Sequence, residues 1–158
     1  MRIVVDTNVF ISGAFFSGPP FQILQAWRDR RIQIALSQEI LQEYQRVAET
    51  LAAKHPGVHL DSVLDLLSIK ADLFSSPDLP NPVCQDKADD KFLACALAAG
   101  ARTVVSGDRH LLKVNGYRGH KTSRICAALL KGAKLTSGCT APRQAARVSR
   151  EVRPPGDS

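Results

Sequence analysis

The pattern of apolar and polar positions predicts strands that alternate with helices. Short runs of β-branched and apolar residues, bounded by polar residues, are typical of strands, and apolar residues spaced three and four apart are typical of helices. Strands are predicted at residues 3–5, 31–36, 72–74, 102–105 and 114–117, the last one at a sheet edge. Helices are predicted at residues 9–14, 21–30, 38–53, 60–69, 86–99 and 123–130.

This alternation predicts a parallel sheet with helices on both faces, because parallel neighbours need crossover connections and these are usually helical. The hydrophobic pattern covers residues 1–130, which is enough for one domain with one core. It stops at Lys131. We expect residues 131–158 to be a basic C-terminal tail, disordered for most of its length.

Composition places the chain among globular proteins, with 44% hydrophobic and 23% charged residues. No apolar run approaches the roughly 20 residues of a membrane span. The first strand starts too early for a signal peptide, and the scattered residues Cys84, Cys95, Cys126 and Cys139 form no metal-binding pair. We therefore expect reduced thiols and a cytoplasmic location. The net charge of +6, of which the tail carries +4, fits either a polyanionic partner or a solvated tail.

Four carboxylates are predicted to converge at one edge of the sheet. Asp6 ends the first strand and Asp108 follows the strand at 102–105. Glu43 lies in the helix after the second strand, and Asp89 lies in the first turn of the helix that leads into strand 102–105. Each has a plain structural interpretation too: Asp6 and Asp108 as helix caps, Glu43 as a solvated residue, and Asp89 as a dipole-favoured residue at a helix start.

Convergence of these carboxylates would require a counter-charge. Mg²⁺ or Mn²⁺, which prefer oxygen ligands, would supply it and would support hydrolysis of a phosphodiester. A phosphatase with Asp6 as nucleophile is disfavoured, because the position two residues on is Asn8, which cannot act as a general acid.

Four segments in order carry a resemblance to a known family: Val4-Val5-Asp6-Thr7-Asn8-Val9, residues 37–44, residues 89–96 and residues 106–112. They resemble the PIN-domain family, and most closely its VapC-like toxin components of prokaryotic toxin–antitoxin systems. The resemblance implies a Rossmann-like three-layer α/β/α sandwich with a parallel sheet of four or five strands. It also implies an Mg²⁺- or Mn²⁺-dependent endoribonuclease that cleaves single-stranded RNA. An antitoxin protein is the implied partner, and a homodimer is compatible with the family.

By position, the resemblance assigns the catalytic and metal-binding carboxylates to Asp6, Glu43, Asp89 and Asp108. It assigns supporting roles to Thr7, Asn8 and Ser106, which would position a carboxylate or a water. Glu39 stands one helical turn from Glu43, and Asp86 and Asp90 compete with Asp89, so these alternatives stay open. The segment 114–123 departs from the family pattern. A non-catalytic nucleic-acid- or protein-binding module on the same fold is the alternative function.

Overall fold

The computed structural model describes residues 1–55 and 61–123, and within them five parallel strands form one sheet in the order β3-β2-β1-β4-β5. The strands are β1 Arg2–Val5, β2 Gln33–Ser37, β3 Asp72–Phe74, β4 Thr103–Val105 and β5 Lys121–Ser123. The helices are α1 Thr7–Phe15, α2 Pro19–Arg28, α3 Gln38–Lys54, α4 Asp61–Lys70, α5 Asp90–Ala99 and α6 Arg109–Lys113. The predicted α/β sandwich with a parallel sheet is confirmed.

Strand β1 is the centre of the sheet. It pairs in parallel with β2 on one side and with β4 on the other. Ile3, Val4 and Val5 are at most 1% exposed. A continuous apolar strand is what a parallel sheet covered on both faces requires, because neither face of β1 meets water. The apolar run before Asp6 therefore becomes the core strand.

The direction of strand addition reverses beside β1. The chain first moves outward from β1 to β2 and β3, and then returns through α5 to β4 on the other side of β1. Because parallel crossovers are right-handed, the reversal puts α5 on the opposite face of the sheet from the helices of the first half. In open α/β sheets the ligand crevice lies at such a reversal, which here is at the carboxyl ends of β1 and β4.

Helix α3 is fixed to the end of β1 by Tyr44. The Tyr44 ring stacks on that of Phe10 with centroids 4.2 Å apart, and its hydroxyl donates a hydrogen bond to the Val5 carbonyl oxygen. Ser37 caps the start of α3 by accepting from the Ile40 N–H. Since Glu43 precedes Tyr44, this anchor also fixes where Glu43 lies.

The last strand was placed wrongly by the sequence. Residues 114–117 were predicted to be a strand, whereas β5 is formed by Lys121–Ser123. Gly116 adopts a left-handed conformation at φ 95°, and its N–H donates to the His120 carbonyl oxygen, so this segment turns instead of extending. The predicted helix at 123–130 begins at a residue that belongs to β5, and the remainder lies outside the described residues.

Other expectations from the sequence can be compared with the structure only where they concern the described residues. Cys84 and Cys95 are buried free thiols, and burial raises the pKa of each to about 12. Cys126, Cys139 and the predicted tail at 131–158 lie outside the described residues. None of the helices described at 1–55 and 61–123 is long and apolar enough to cross a membrane.

Candidate active site

The crevice at the carboxyl ends of β1 and β4 contains Asp6 and Ser106 side by side. Val5 pairs with Val105 in the sheet, and the Asp6 N–H donates to the Val105 carbonyl oxygen at 2.9 Å. The next residue of each strand therefore emerges at the same level. The Ser106 hydroxyl donates to Asp6 Oδ2 at 2.6 Å, across 100 residues of sequence.

Asp6 combines a structural role with its position in the crevice. Its Oδ1 accepts from the Asn8 N–H at 3.3 Å, which caps α1. The residue is only 6% exposed. The capping interpretation and the functional interpretation of Asp6 are therefore compatible, because a carboxylate has about four lone-pair sites and the two named bonds use one on each oxygen.

Glu43 reaches the crevice from α3. Its Oε1 accepts from the Thr7 hydroxyl at 2.5 Å, and its Oε2 pairs with the Lys91 ammonium. Arg46 lies farther away, at 3.9 Å from the same Oε2. Glu39, one turn earlier, is exposed. The rotation of α3 about its axis therefore turns Glu43, and not Glu39, towards the end of β1. The sequence alone had left this orientation open.

The three aspartates at the start of α5 have different environments. Asp90 is buried and accepts from the Val83 and Cys84 N–H groups, so it fastens the preceding loop. Asp86 accepts from the Ala88 N–H and caps a short 3-10 turn. Asp89 occupies the N-cap position of α5 without a side-chain capping bond. Asp89 is the one of the three whose carboxylate is not engaged in capping or loop fastening.

Asp108 is tied to Asp6 through Ser106. The Asp108 N–H donates to Ser106 Oγ at 2.9 Å, while Asp108 Oδ1 accepts from the His110 N–H and caps α6. One serine thus links the ends of β1 and β4. Of the three supporting residues named from the sequence, Ser106 and Thr7 bind site carboxylates through their hydroxyls. Asn8 contributes its backbone N–H, and the residue is exposed.

The charges of these groups act on one another. Burial raises the pKa of Asp6, hydrogen bonds from Ser106 and Asn8 lower it, and the charges of Asp108 and Glu43 raise it further. Burial, followed by the charges of Asp108, Asp6 and Asp86, raises the pKa of Asp89 to about 6, against a lowering effect of Lys91. The four carboxylates therefore share one region of negative potential.

Lys91 is the site residue that sequence reasoning missed. Its side chain is only 9% exposed where it meets Glu43. The available signal was its position, because a cation in the first turn of a helix opposes the helix dipole and requires a compensating carboxylate.

The donor chemistry of the site fits a hard divalent cation. All four side chains offer carboxylate oxygens, which Mg²⁺ and Mn²⁺ prefer. The pKa values of Asp6 and Asp89 are raised chiefly by burial and further by the neighbouring carboxylates, and a bound cation would offset both effects. Whether these ligands are already grouped closely enough for an ion is a different question from their chemistry. Within residues 1–55 and 61–123, no three His, Cys, Asp or Glu side chains stand close enough together to hold a metal ion.

The raised pKa of Asp89 predicts a pH-dependent stability in metal-free protein. Its ordinary value is 3.8 and its value in the fold is about 6. Protonated Asp89 therefore favours the fold, and this contribution, full below 3.8, is lost as the pH rises through 6. We expect Asp89→Asn, melted in EDTA, to raise the Tm more at about pH 7 than at about pH 4.5.

Asp65→Asn serves as the control for this prediction, because Asp65 is exposed on α4 and away from the site. Its Tm difference from wild type should be the same at both pH values. A Tm difference for Asp89→Asn that is constant or shrinks with rising pH would contradict the prediction.

Comparison with known proteins identifies the family to which the fold and the site residues belong. The family model described as "PIN domain" matches residues 2–110, from β1 to the first residues of α6. Searches of curated proteins and of solved structures gave no match. The matched region contains all four carboxylates and Lys91. PIN domains are commonly metal-dependent nucleases. Since the match spans more than half of the sequence, the chain belongs to the PIN-domain family.

Proposed function

We propose that this chain is an Mg²⁺- or Mn²⁺-dependent endoribonuclease that hydrolyses phosphodiester bonds of single-stranded RNA. The observation that carries the proposal is that Ser106 joins Asp6 to Asp108 at the ends of β1 and β4, while Glu43 contacts Thr7 beside Asp6 and Asp89 feels the charges of Asp6 and Asp108. Their electrostatic coupling, visible in the pKa of Asp6 and of Asp89, supports it. Membership of the PIN-domain family supports it independently.

Carboxylates of this set would hold the divalent cation. When bound, such an ion orients a water nucleophile and offsets the charge that develops on a phosphodiester. The chain's own contribution is to keep the ligands in place. Ser106 restrains Asp6 through its hydroxyl, and Thr7 restrains Glu43 in the same way. These bonds reduce the conformational freedom that the carboxylates would lose on binding an ion.

The wider role in this proposal is that of a toxin controlled by an antitoxin, with residues 1–130 as the nuclease domain and 131–158 as a basic tail. The toxin role is supported by the resemblance to VapC-like toxins. The net charge of +6 supports a polyanionic substrate, because clustered positive charge attracts nucleic acid without reading its sequence.

A non-catalytic nucleic-acid-binding module is the second candidate, and one observation favours it. Among the described residues, no three potential ligands are grouped closely enough to hold a metal ion, and one carboxylate is already paired with Lys91. In such a module the acidic crevice would be a remnant, and RNA would bind without being cleaved.

The deciding experiment measures cleavage of a labelled single-stranded RNA by purified protein. We expect cleavage with Mn²⁺ or Mg²⁺, loss of cleavage in EDTA, and recovery when Mn²⁺ is added back. RNA binding without cleavage under all metal conditions would favour the non-catalytic module and reject the nuclease.

Contaminating host nuclease is excluded with two variants purified identically. Asp108→Asn alters a site carboxylate while keeping a good helix cap, and it should lose activity. Asp65→Asn on exposed α4 should retain it. Equal cleavage by both preparations would assign the activity to a contaminant.

A further inference from the structure

We propose that Lys91 acts as a built-in counter-ion, which neutralises Glu43 and limits the site to a single divalent cation held by Asp6, Asp89 and Asp108. Glu43 is then a positioning residue that orders Thr7 and Lys91, and it is not a direct metal ligand. This inference rests on the proposed metal-dependent function and refines it, because it assigns different tasks to the four carboxylates.

The first support is that Glu43 already has a cationic partner within the chain. Oε1 accepts from the Thr7 hydroxyl, and Oε2 accepts from the Lys91 ammonium. The Glu43 side chain is 19% exposed and that of Lys91 is 9% exposed. A largely buried pair of this kind is costly to separate, because each charge would be left without its partner where water screens it only in part. A carboxylate oxygen keeps a free lone pair beside one hydrogen bond, so it is the positive charge of Lys91 at Oε2, and not a lack of acceptor sites, that opposes a divalent cation there.

The second support is the unfavourable position that Lys91 occupies. It lies in the first turn of α5, where the helix dipole disfavours a cation. A contact of Nζ with the face of the Phe92 ring, 5.3 Å from the centroid, offsets part of this cost. The ion pair with Glu43 compensates for this position, so the fold holds a cation in direct contact with a site carboxylate.

The third support is the charge of the site. Four ionised carboxylates with Lys91 carry a net charge of −3, so one divalent cation leaves −1 and still attracts a second positive group. Two divalent cations would make the site net positive while Lys91 remained. Since like charges repel strongly where water is scarce, a second ion is disfavoured as long as the ammonium stays.

Isothermal titration with Mn²⁺ in the absence of RNA tests this inference, using the full chain. Wild type is expected to bind one Mn²⁺. Lys91→Met, which keeps a stem of similar length without the charge, should either bind a second Mn²⁺ or bind the first at least about tenfold more tightly, because Glu43 is released as a ligand. Lys91→Arg, which restores the charge, should return the count to one.

Lys87→Met is the matched control, because it removes the same charge from an exposed turn four residues earlier. It should match wild type in ion count and affinity. Two Mn²⁺ ions in wild type, or a folded Lys91→Met protein whose ion count and affinity equal those of Lys87→Met or are lower, would overturn the inference.

A double variant tests the inference if Lys91→Met does not fold. Glu43→Gln combined with Lys91→Met removes both charges and leaves the net charge of the site unchanged. It should bind one Mn²⁺ with an affinity within about threefold of wild type, whereas loss of a true ligand would weaken binding by about tenfold or more. The larger loss would overturn the inference.

The outcomes separate this inference from the proposed nuclease. RNA cleavage with two bound ions would reject the counter-ion role and keep the nuclease. One ion in wild type and two in Lys91→Met, without any RNA cleavage, would keep the counter-ion role and reject the nuclease. A wild-type protein that binds no Mn²⁺ would reject both.

Discussion

Replacing Asp6 with asparagine is expected to lower RNA cleavage by at least about 100-fold, since loss of a partner that merely supports a metal ligand already costs about 10–100-fold. The fold should survive this change. Asparagine is as good a helix cap as aspartate, and its side-chain oxygen can still accept a hydrogen bond from Asn8 or Ser106. Removal of a buried negative charge should even raise the stability of the metal-free protein, because Asp108 and Glu43 repel it.

Two measurements on the same preparations check this result. Single-turnover cleavage of RNA in Mn²⁺ gives the loss of activity, and thermal unfolding in EDTA gives the stability. Asp65→Asn on exposed α4 is the control for removal of one acidic charge. Undiminished cleavage by folded Asp6→Asn would remove Asp6 from the site, while a lowered Tm would mean that its carboxylate is needed for the fold.

Truncating Tyr44 to alanine is expected to lower the free energy of unfolding by about 3–5 kcal/mol, the usual cost of deleting a buried aromatic ring. Tyr44 is fully buried and stacks on Phe10 at an interplanar angle of 3°. The ring lies between α1 and α3, so its removal also weakens the packing that holds Glu43 near the end of β1.

Tyr44→Phe separates the ring from the hydroxyl. It keeps the stacking and removes only the bond to the Val5 carbonyl oxygen, so we expect a cost of about 1–2 kcal/mol. Urea unfolding followed by circular dichroism measures both variants. If the two variants were equally unstable, the hydroxyl rather than the ring would dominate, contrary to this expectation.

The order of elements could be predicted from the sequence because β1, β2, β4 and the long helices have strong hydrophobic patterns. Pattern reasoning of this kind fails for short, polar edge strands. Lys121–Ser123 has no apolar run, and it joins the sheet through pairing with β4. This strand can be recognised only from its pairing with the edge of β4 in the folded protein. The segment 114–117 is more apolar, because it contains Val114 and Tyr117, and the strand was therefore predicted at the wrong place.

The positions of the candidate site residues could be predicted from the sequence where these residues follow the ends of strands. Asp6 and Asp108 follow from the rule that parallel strands finish at one edge of the sheet. Glu43 depends on helix phase, which the capping bond at Ser37 and the Tyr44 anchor fix only in three dimensions. Lys91 depends on a contact across 48 residues, and no local pattern encodes the partner of a single lysine.

The central position of β1 also matters while the protein is being synthesised. A ribosome makes β1, β2 and β3 well before β4, yet β4 is the second neighbour of β1. Until β4 emerges, one side of β1, with its three consecutive apolar residues, is an open edge, which favours association with other chains. Ser106 and Asp108 arrive only with β4, so a partly made chain would carry the hazard of that edge and none of the proposed nuclease activity.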